Sequence, residues 1–194
     1  MRIGFFAVLL LSACASTPLQ DMYTAPIGDL WCGRYPLGVN AVESIGPHGG
    51  TIRLRDGIRE IRIDLEQFEP PLTGSALETK RELLYSGYLA NNIMPLIQSA
   101  IPSAELLEAK SADIKNGRSQ EYLPVYKSVI LMPGVSPDGR KGMGVRGQVQ
   151  YTNGKFMYTA SSLATVQPEW SKEQKIKAGY EQLMIGLSWC HFPR

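Results

Sequence analysis

Residues 145–160 constrain the fold more than any other part of the 194-residue chain. Two runs of alternating apolar and polar side chains flank Asn153-Gly154, the dipeptide that type I′ hairpin turns prefer. A two-residue turn there predicts two opposing pairs that share one face of the hairpin, Val149 with Tyr158 and Tyr151 with Phe156. We therefore expect a β-hairpin with one apolar face, inside an antiparallel sheet.

A second alternating run, residues 51–66, predicts another hairpin. Gly57-Ile58 fits its turn, because a II′ turn takes glycine at its first central position. That turn predicts the apolar pairs Leu54–Ile61 and Ile52–Ile63. A turn at Asp56-Gly57 would instead set Leu54 against Arg59 and lose the apolar face, so we prefer the first register.

Two capping boxes predict helices. Ser75 with Glu78 begins a helix that runs through Leu84 and Tyr88, and Pro95 either kinks it or starts a second short helix. Ser171 with Gln174 begins the last helix. Its apolar residues recur at helical spacing: Ile176, Tyr180, Leu183, Met184 and Leu187.

The remaining strands are predicted from β-branched and aromatic residues. Residues 104–115 form one strand and residues 122–132 another, in which Pro124 indicates an edge or a bulge. Pro137-Asp138-Gly139 predicts a turn, and residues 30–50 an edge strand or a packed loop.

The element order is β-β-α-β-β-β-β-α, with no regular βαβ alternation. We therefore predict an α+β fold, in which a twisted antiparallel sheet built from hairpins carries a central helix and a C-terminal amphipathic helix. The order, which closes with the helix after Ser171, resembles the PsbP/MOG1-like sandwich. No motif residues match, so this resemblance implies a fold and no function.

The first 14 residues carry a different signal. Arg2 precedes an apolar run from Ile3 to Leu11, which is too short to cross a bilayer and typical of a signal peptide. The run ends in Leu11-Ser12-Ala13-Cys14, which resembles the lipobox of bacterial lipoproteins. The alternative is an ordinary secretory signal cut after Ala13, with Cys14 as a spare thiol.

The lipoprotein resemblance implies cleavage before Cys14, whose sulfur would carry diacylglycerol and anchor the protein in a membrane. Ala15 stands where aspartate favours inner-membrane retention, so the resemblance implies the outer membrane, facing the periplasm or the cell surface. Domain boundaries follow: a signal peptide over 1–13, a lipidated tether over 14–29 and one domain over 30–194.

Cleavage would also remove Arg2, leaving 19 basic against 18 acidic side chains. A nearly neutral chain gives no electrostatic reason to bind nucleic acid. With Cys14 lipidated, Cys32 and Cys190 form an even pair in an oxidising compartment, and we expect a disulfide between them. The alternative is two separate buried thiols.

The other candidate sites are weak. Residues 142–147 spell G-x-G-x-x-G, but a strand rather than a helix follows, so nucleotide binding is not favoured. Arg140, Lys141 and Arg146 supply charge there for a phosphate or a lipid headgroup, and the alternative is a bulged glycine-rich strand. Four arginines interleave with acids in the first hairpin and predict a solvated mixed-charge face: Arg53, Arg55, Arg59 and Arg62.

His48 and His191 are the two histidines, too few with the cysteines for a zinc site, and we predict no metal or cofactor. Cys190 with His48 as nucleophile and base conflicts with the disulfide. The favoured function is a non-enzymatic binding or assembly module of the cell envelope, whose partner is a protein or a polymer. The alternatives are a small enzyme acting on peptidoglycan, lipid or glycan, recognisable by paired carboxylates or a Ser/His pair in a cleft, and a lipid carrier with an apolar cavity.

Overall fold

The structure is a computed structural model of the chain. It describes residues 23–24, 31–32, 40–46, 48–56, 59–68, 71–73, 75–116, 121–134, 142–188 and 190–192. Cys14, the predicted signal peptide and the Pro137-Asp138-Gly139 turn lie outside these residues, as does most of the predicted tether.

The described residues form ten strands and three α-helices, with one π-helical turn. The strands β1 to β10 are Tyr23–Thr24, Trp31–Cys32, Asn40–Gly46, Gly49–Asp56, Arg59–Gln67, Glu105–Lys115, Tyr122–Pro133, Met143–Thr152, Phe156–Val166 and Cys190–His191. The helices α1 to α3 are Ser75–Tyr88, Met94–Ala100 and Lys172–Leu187, and the π-helical turn is Leu89–Ile93.

Seven strands form one antiparallel sheet in the order β3-β4-β5-β9-β8-β7-β6. The chain leaves β5 through the α1–α2 segment, enters the far edge at β6 and returns through three hairpins to β9 beside β5. Three short strands form a second sheet in the order β1-β2-β10. The predicted α+β fold is confirmed, and β3 confirms the expected edge strand.

The first hairpin has the predicted register. Ile52 pairs with Ile63 and Leu54 with Ile61, and all four side chains are buried in one apolar cluster. Alternation along β4 and β5 therefore buries one complete face, as the sequence pattern requires.

The register predicted for the β8–β9 hairpin is wrong by two residues, because Tyr151 pairs with Tyr158 and Val149 with Ala160. The side chain of Asn153 accepts hydrogen bonds from the backbone N–H groups of Lys155 and Phe156, at 3.1 and 3.0 Å. Asn153 therefore acts through its side chain, and the turn moves one residue towards Gly154, whose φ is 90°. The shift preserves the face, so the predicted apolar face is confirmed.

The segment after β5 confirms the predicted second helix. The backbone N–H of Met94 bonds to the carbonyl of Leu89, which is the i→i−5 pattern of a π-helix. Pro95 follows in the first turn of α2, where its missing N–H is tolerated. The Ser75 capping box lies among side chains that the structure does not describe.

The last helix begins at the predicted capping box. The Ser171 hydroxyl accepts from the Gln174 backbone N–H, and the Gln174 side chain accepts from the Ser171 N–H. Met184 was predicted to lie on the apolar side of this helix, but 37% of it is exposed, so it is not a core residue. Gly179 instead lies on the buried side, where a Cβ at Gly147 would come within 2.1 Å of the Gly179 carbonyl oxygen.

The helices cover opposite faces of the seven-stranded sheet. Helix α3 packs on an apolar face through Leu183 and Leu187, and the α1–α2 segment packs on the other face around Tyr126 and Met157. Pro124 was predicted at an edge or a bulge, but β7 lies inside the sheet. The pairing of β7 with β8 begins only at Tyr126, so Pro124 lies in the part of β7 that pairs with β6 alone. No helix in the described ranges has the length and apolar character to cross a membrane.

Candidate functional site: a pocket on the polar face of the sheet

The face under α1 and α2 carries two rows of polar side chains, which we call the polar belt. The first row runs from β5 to β7 as Asp64, Thr159, Gln150 and Tyr126, and the second as Arg62, Ser161, Gln148 and Ser128. Alternation along each strand places both rows opposite the α3 face. The belt crosses the middle of the sheet, where a half-buried sheet normally carries apolar residues.

Much of the polar belt is buried without hydrogen-bond partners. Gln148, Gln150 and Ser128 are 0% exposed, and Thr159 is 4% exposed. Both side-chain polar atoms of each glutamine lack a partner among the described residues, as do the Ser128 and Thr159 hydroxyls. Such atoms cost free energy when a protein folds, so their retention indicates a requirement other than stability.

A pocket of about 350 Å³ opens at the β5 end of the polar belt, between the sheet and α2. We call it the β5–α2 pocket. Its floor consists of strand residues, and its outer wall comes from the π-helical turn and the helices that flank it. The strand residues are Arg62, Asp64, Glu66, Arg146 and Thr159, and the helical residues are Tyr88, Asn92, Ile93, Leu96 and Ile97.

The charged groups on the floor differ in their hydrogen-bond partners. Nε of Arg62 donates to both carboxylate oxygens of Asp64, at 2.8 and 2.9 Å, and the Thr51 hydroxyl donates to Asp64 at 2.6 Å. The Tyr88 hydroxyl donates to Glu66. Burial raises the pKa of Tyr88, and the Glu66 carboxylate raises it further.

Arg146 has no comparable partner. Its Nε atom is buried without a hydrogen bond, and the ion pairs of the described residues do not include it. Burial lowers the Arg146 pKa, Asp64 opposes that shift and Arg62 adds to it. Since an arginine stays protonated in proteins, Arg146 brings to the pocket floor a positive charge that makes no ion pair among the described residues.

A second pocket, of about 410 Å³, lies between α1 and the strands β6 and β7. It is lined by Arg81, Glu82 and Tyr85, and by the exposed residues Ser111 and Asp113. Like Arg146, Arg81 has a buried Nε without a partner, but in the part of the chain that the structure describes this second pocket contains no buried unpartnered strand hydroxyl comparable to Thr159. The β5–α2 pocket is therefore the stronger candidate.

The sequence singled out two of the residues that line the pocket, Arg62 and Arg146. Residues 143–147 lie in β8, so a strand follows the glycines, as expected. Arg53 and Arg55 are exposed, as a solvated charged face requires, whereas Arg62 and Asp64 line the pocket. Arg140 and Lys141 lie outside the described residues. Thr159 and Tyr88 carried no sequence signal.

Cys32 and Cys190 are register partners between β2 and β10. Antiparallel partners have Cα atoms about 4.5–5.5 Å apart, which is within the reach of a disulfide. Cys190 lies in β10, after α3. The disulfide stays a prediction, and Cys14 lies outside the described residues.

The histidines lie apart from the pocket. His48 is exposed at the β3–β4 turn, and His191 lies in β10 with its Nε2 3.4 Å from the Asn116 amide nitrogen. Cys190 is buried in the small sheet, so it does not share a surface cleft with His48. Within the described residues no group of three His, Cys, Asp or Glu side chains is placed to hold a metal ion.

No protein-family model and no curated protein matches this sequence. Solved structures, in contrast, do match the structure of this chain. The solution structure of cyanobacterial PsbP (CyanoP) from Synechocystis sp. PCC 6803 is 16% identical with a TM-score of 0.54, and the match covers 93% of this chain and 96% of that chain.

The crystal structure of the Saccharomyces cerevisiae Ran-binding protein Mog1p is 12% identical with a TM-score of 0.48, and the match covers 91% of this chain and 96% of that one. A protein from Bacteroides thetaiotaomicron VPI-5482 is 10% identical with a TM-score of 0.42, and the match covers 90% of this chain and 48% of that one. The match to CyanoP confirms the predicted PsbP-like fold and carries no function.

Proposed function

We propose that this protein is an outer-membrane-anchored lipoprotein that acts as a non-enzymatic binding module of the cell envelope. The β5–α2 pocket is its binding site. The observation that carries the proposal is a pocket of about 350 Å³ lined by two groups that lack hydrogen-bond partners, the buried Nε of Arg146 and the Thr159 hydroxyl. Concave sites with a few converging polar groups are the usual places where proteins bind ligands.

Binding is favoured over catalysis because the carboxylates of the pocket are already engaged. Asp64 accepts hydrogen bonds from Arg62 and Thr51, and Glu66 accepts one from Tyr88. A general acid or base needs a proton or a lone pair directed at the substrate. These contacts instead fix the two carboxylates as parts of the pocket wall.

The enzyme alternative is favoured by one observation, which is that Asp64 and Glu66 line the same pocket. Their i, i+2 spacing on β5 puts both carboxylates on one face of the strand. If they act as an acid and base, Asp64→Asn and Glu66→Gln should each abolish turnover of envelope glycans. The binding proposal predicts that the wild-type protein shows no turnover that these two changes remove.

The lipid-carrier alternative requires an apolar cavity. The β5–α2 pocket has two arginines and two acids on its floor, and its apolar residues lie on the α2 side. An acyl chain inside it would lie against charged groups and would desolvate them at a cost in free energy. We therefore place lipid in the anchor at Cys14 rather than in the pocket.

The anchor is tested by Cys14→Ser. We expect the variant to leave the membrane fraction or to persist as an unprocessed precursor, because the serine cannot form the thioether. Normal processing and outer-membrane fractionation of Cys14→Ser would contradict the anchor and leave the pocket proposal standing.

The binding site is tested by photo-crosslinking in intact cells with a matched pair of positions. Leu96 is 73% exposed and lines the pocket, whereas Leu83 is 72% exposed on α1 and does not. A photoreactive amino acid at position 96 should give a discrete adduct, identified by mass spectrometry. The same amino acid at position 83 should not.

Adducts of equal yield at both positions would indicate nonspecific encounter. Absence of any adduct at position 96, with the full-length protein present in the membrane fraction, would contradict the proposal. Fractionation of both variants is the control for expression and anchoring.

A further inference from the structure

We infer that the β5–α2 pocket binds an oxyanion, a carboxylate or a phosphate, on a small ligand that also has an apolar part. The guanidinium of Arg146 and the hydroxyl of Thr159 would hold the oxyanion. This inference rests on the proposed binding function and names the chemistry of its ligand.

The first argument concerns charge. Arg62 and Asp64 neutralise each other through two hydrogen bonds and an ion pair, so neither needs a ligand. Arg146 lines the same pocket, and its buried Nε has no partner. A guanidinium nitrogen that is buried without a hydrogen bond is costly, and a planar oxyanion is the group that the guanidinium donors match best. Arg146 is therefore the group on the floor that a negatively charged ligand would contact.

The second argument concerns the neighbouring donor. Thr159 is 4% exposed, its hydroxyl has no hydrogen-bond partner, and it lines the pocket with Arg146. In the register, Thr159 lies opposite Gln150 on β8, and Arg146 is four residues, roughly 13 Å, from Gln150 along the same strand face, so it is the length of the Arg146 side chain that lets both residues line one pocket. A hydroxyl with no acceptor to satisfy can donate to a ligand oxygen.

The third argument concerns the outer wall. Ile93 and Ile97 are buried there, whereas Leu96 is 73% exposed at the same pocket. An exposed leucine over a charged floor provides apolar contact for the part of a ligand that extends from its oxyanion. The wall is formed next to the π-helical turn, a distortion that often marks functional sites.

The inference is tested by isothermal titration calorimetry on the full-length protein in detergent. The probes are hexanoate, hexyl phosphate, inorganic phosphate and hexanol. We expect one of the two amphiphilic anions to bind. Preference for hexanoate would identify a carboxylate site, and preference for hexyl phosphate would identify a phosphate site. Hexanol, which has the tail without the charge, should bind at least tenfold more weakly.

Three variants assign the contact. Arg146→Met should weaken the better anion at least tenfold, since charged hydrogen bonds contribute more than neutral ones. Thr159→Val should weaken it about fivefold, the effect of one neutral hydrogen bond. Arg53→Met removes an exposed arginine from β4 and should leave the affinity unchanged.

Binding of neither anion by the wild-type protein, or equal affinity in Arg146→Met, would overturn the inference. If Arg146→Met does not fold, the Nε–H resonance of Arg146 in the wild-type protein decides, because it should shift on addition of the bound anion and not on addition of hexanol. An unmoved resonance contradicts the inference. If position 96 gives a crosslinked adduct in cells but neither anion binds in calorimetry, the proposed binding function stands and only the oxyanion chemistry of the ligand is rejected.

Discussion

Both faces of the seven-stranded sheet contain fully buried side chains, but these differ in their chemistry. On the α3 face, Ile63, Val149 and Leu183 are 0% exposed and lie in one apolar cluster. On the α1–α2 face, Gln148 and Gln150 are also 0% exposed, and their amide groups have no partners among the described residues. Burial alone therefore does not make a core.

The difference indicates a division of roles. Each fully buried apolar side chain stabilises the fold by roughly 1.5–3 kcal/mol, whereas each unpartnered buried polar group costs about 1–3 kcal/mol. The α3 face thus holds the fold together. The α1–α2 face retains polar groups at a cost in stability, which is the pattern expected of a binding site.

The largest effect is expected at the predicted Cys32–Cys190 disulfide, which would tie β2 to β10 at the apolar face. In the chain-entropy model such a long loop contributes at most roughly 5 kcal/mol, so reduction should lower the free energy of unfolding by up to that amount. Both sulfurs should resist alkylation until the protein is reduced and denatured. Alkylation under denaturation alone would show separate thiols, and the Cys32→Ser/Cys190→Ser variant, insensitive to reductant, is the control.

The next largest effect tests the apolar face directly. Leu183 is 0% exposed, so Leu183→Ala should destabilise the protein by about 2–5 kcal/mol through lost burial and a cavity. Urea unfolding measures the change. Leu83→Ala, at a 72% exposed position on α1, is the matched control and should change stability by less than about 0.5 kcal/mol. A loss below about 1 kcal/mol for Leu183→Ala would mean that this face is not the main core.

Alkaline pH should weaken the attachment of α1 to the polar face. Tyr85 is 2% exposed, and burial raises its pKa to about 12, although the Thr152 N–H that it accepts lowers it. Above pH 10 the unfolded chain loses this proton while the folded protein keeps it, so stability should fall by about 2–3 kcal/mol between pH 10 and pH 12.

Unfolding free energies at pH 9 and pH 11.5 check this. Tyr85→Phe should show a smaller fall over that range, whereas Tyr122→Phe, at a 60% exposed position, should behave as the wild-type protein does. If the unfolding free energy of Tyr85→Phe falls with pH as steeply as that of the wild-type protein, Tyr85 is not the cause of the fall.

A smaller effect of opposite sign is expected within the polar belt. Gln150→Met should raise the free energy of unfolding by about 1–2 kcal/mol, because it removes an amide with no partner and keeps the volume. Gln167→Met, at an exposed position that follows β9, should have an effect near zero. A loss of stability in Gln150→Met would show that the amide is satisfied in solution, and the contrast between the faces would weaken.

The sequence predicted elements whose causes are local. The first hairpin formed in the predicted register because only one turn buries both pairs of apolar residues, and α3 began at its capping box. The second register was wrong because Asn153 was read as a backbone turn former, whereas its side chain makes the turn. The residue pattern does not show whether Asn153 forms the turn through its backbone or through its side chain.

The pocket was not predictable in the same way. Arg146 was noted only for its charge, and what makes it distinctive is the absence of a partner, which depends on β5 and α2 meeting it from distant parts of the chain. Gln148 and Gln150 alternate with the apolar residues of β8, and alternation along a strand does not show whether its polar face is covered. The α1–α2 segment that buries them arrives from a long crossover between β5 and β6.

The central claim, that the polar face is kept for binding rather than for stability, is tested most directly by the unfolding free energy of Arg146→Met in urea without ligand. We expect no change or a gain of about 1 kcal/mol over the wild-type protein, because the change removes a half-buried charge that has no ion pair and whose Nε lacks a hydrogen bond. Arg53→Met is the matched control for losing a positive charge. A loss of about 2 kcal/mol or more in Arg146→Met alone would show that Arg146 is structural and would contradict the account.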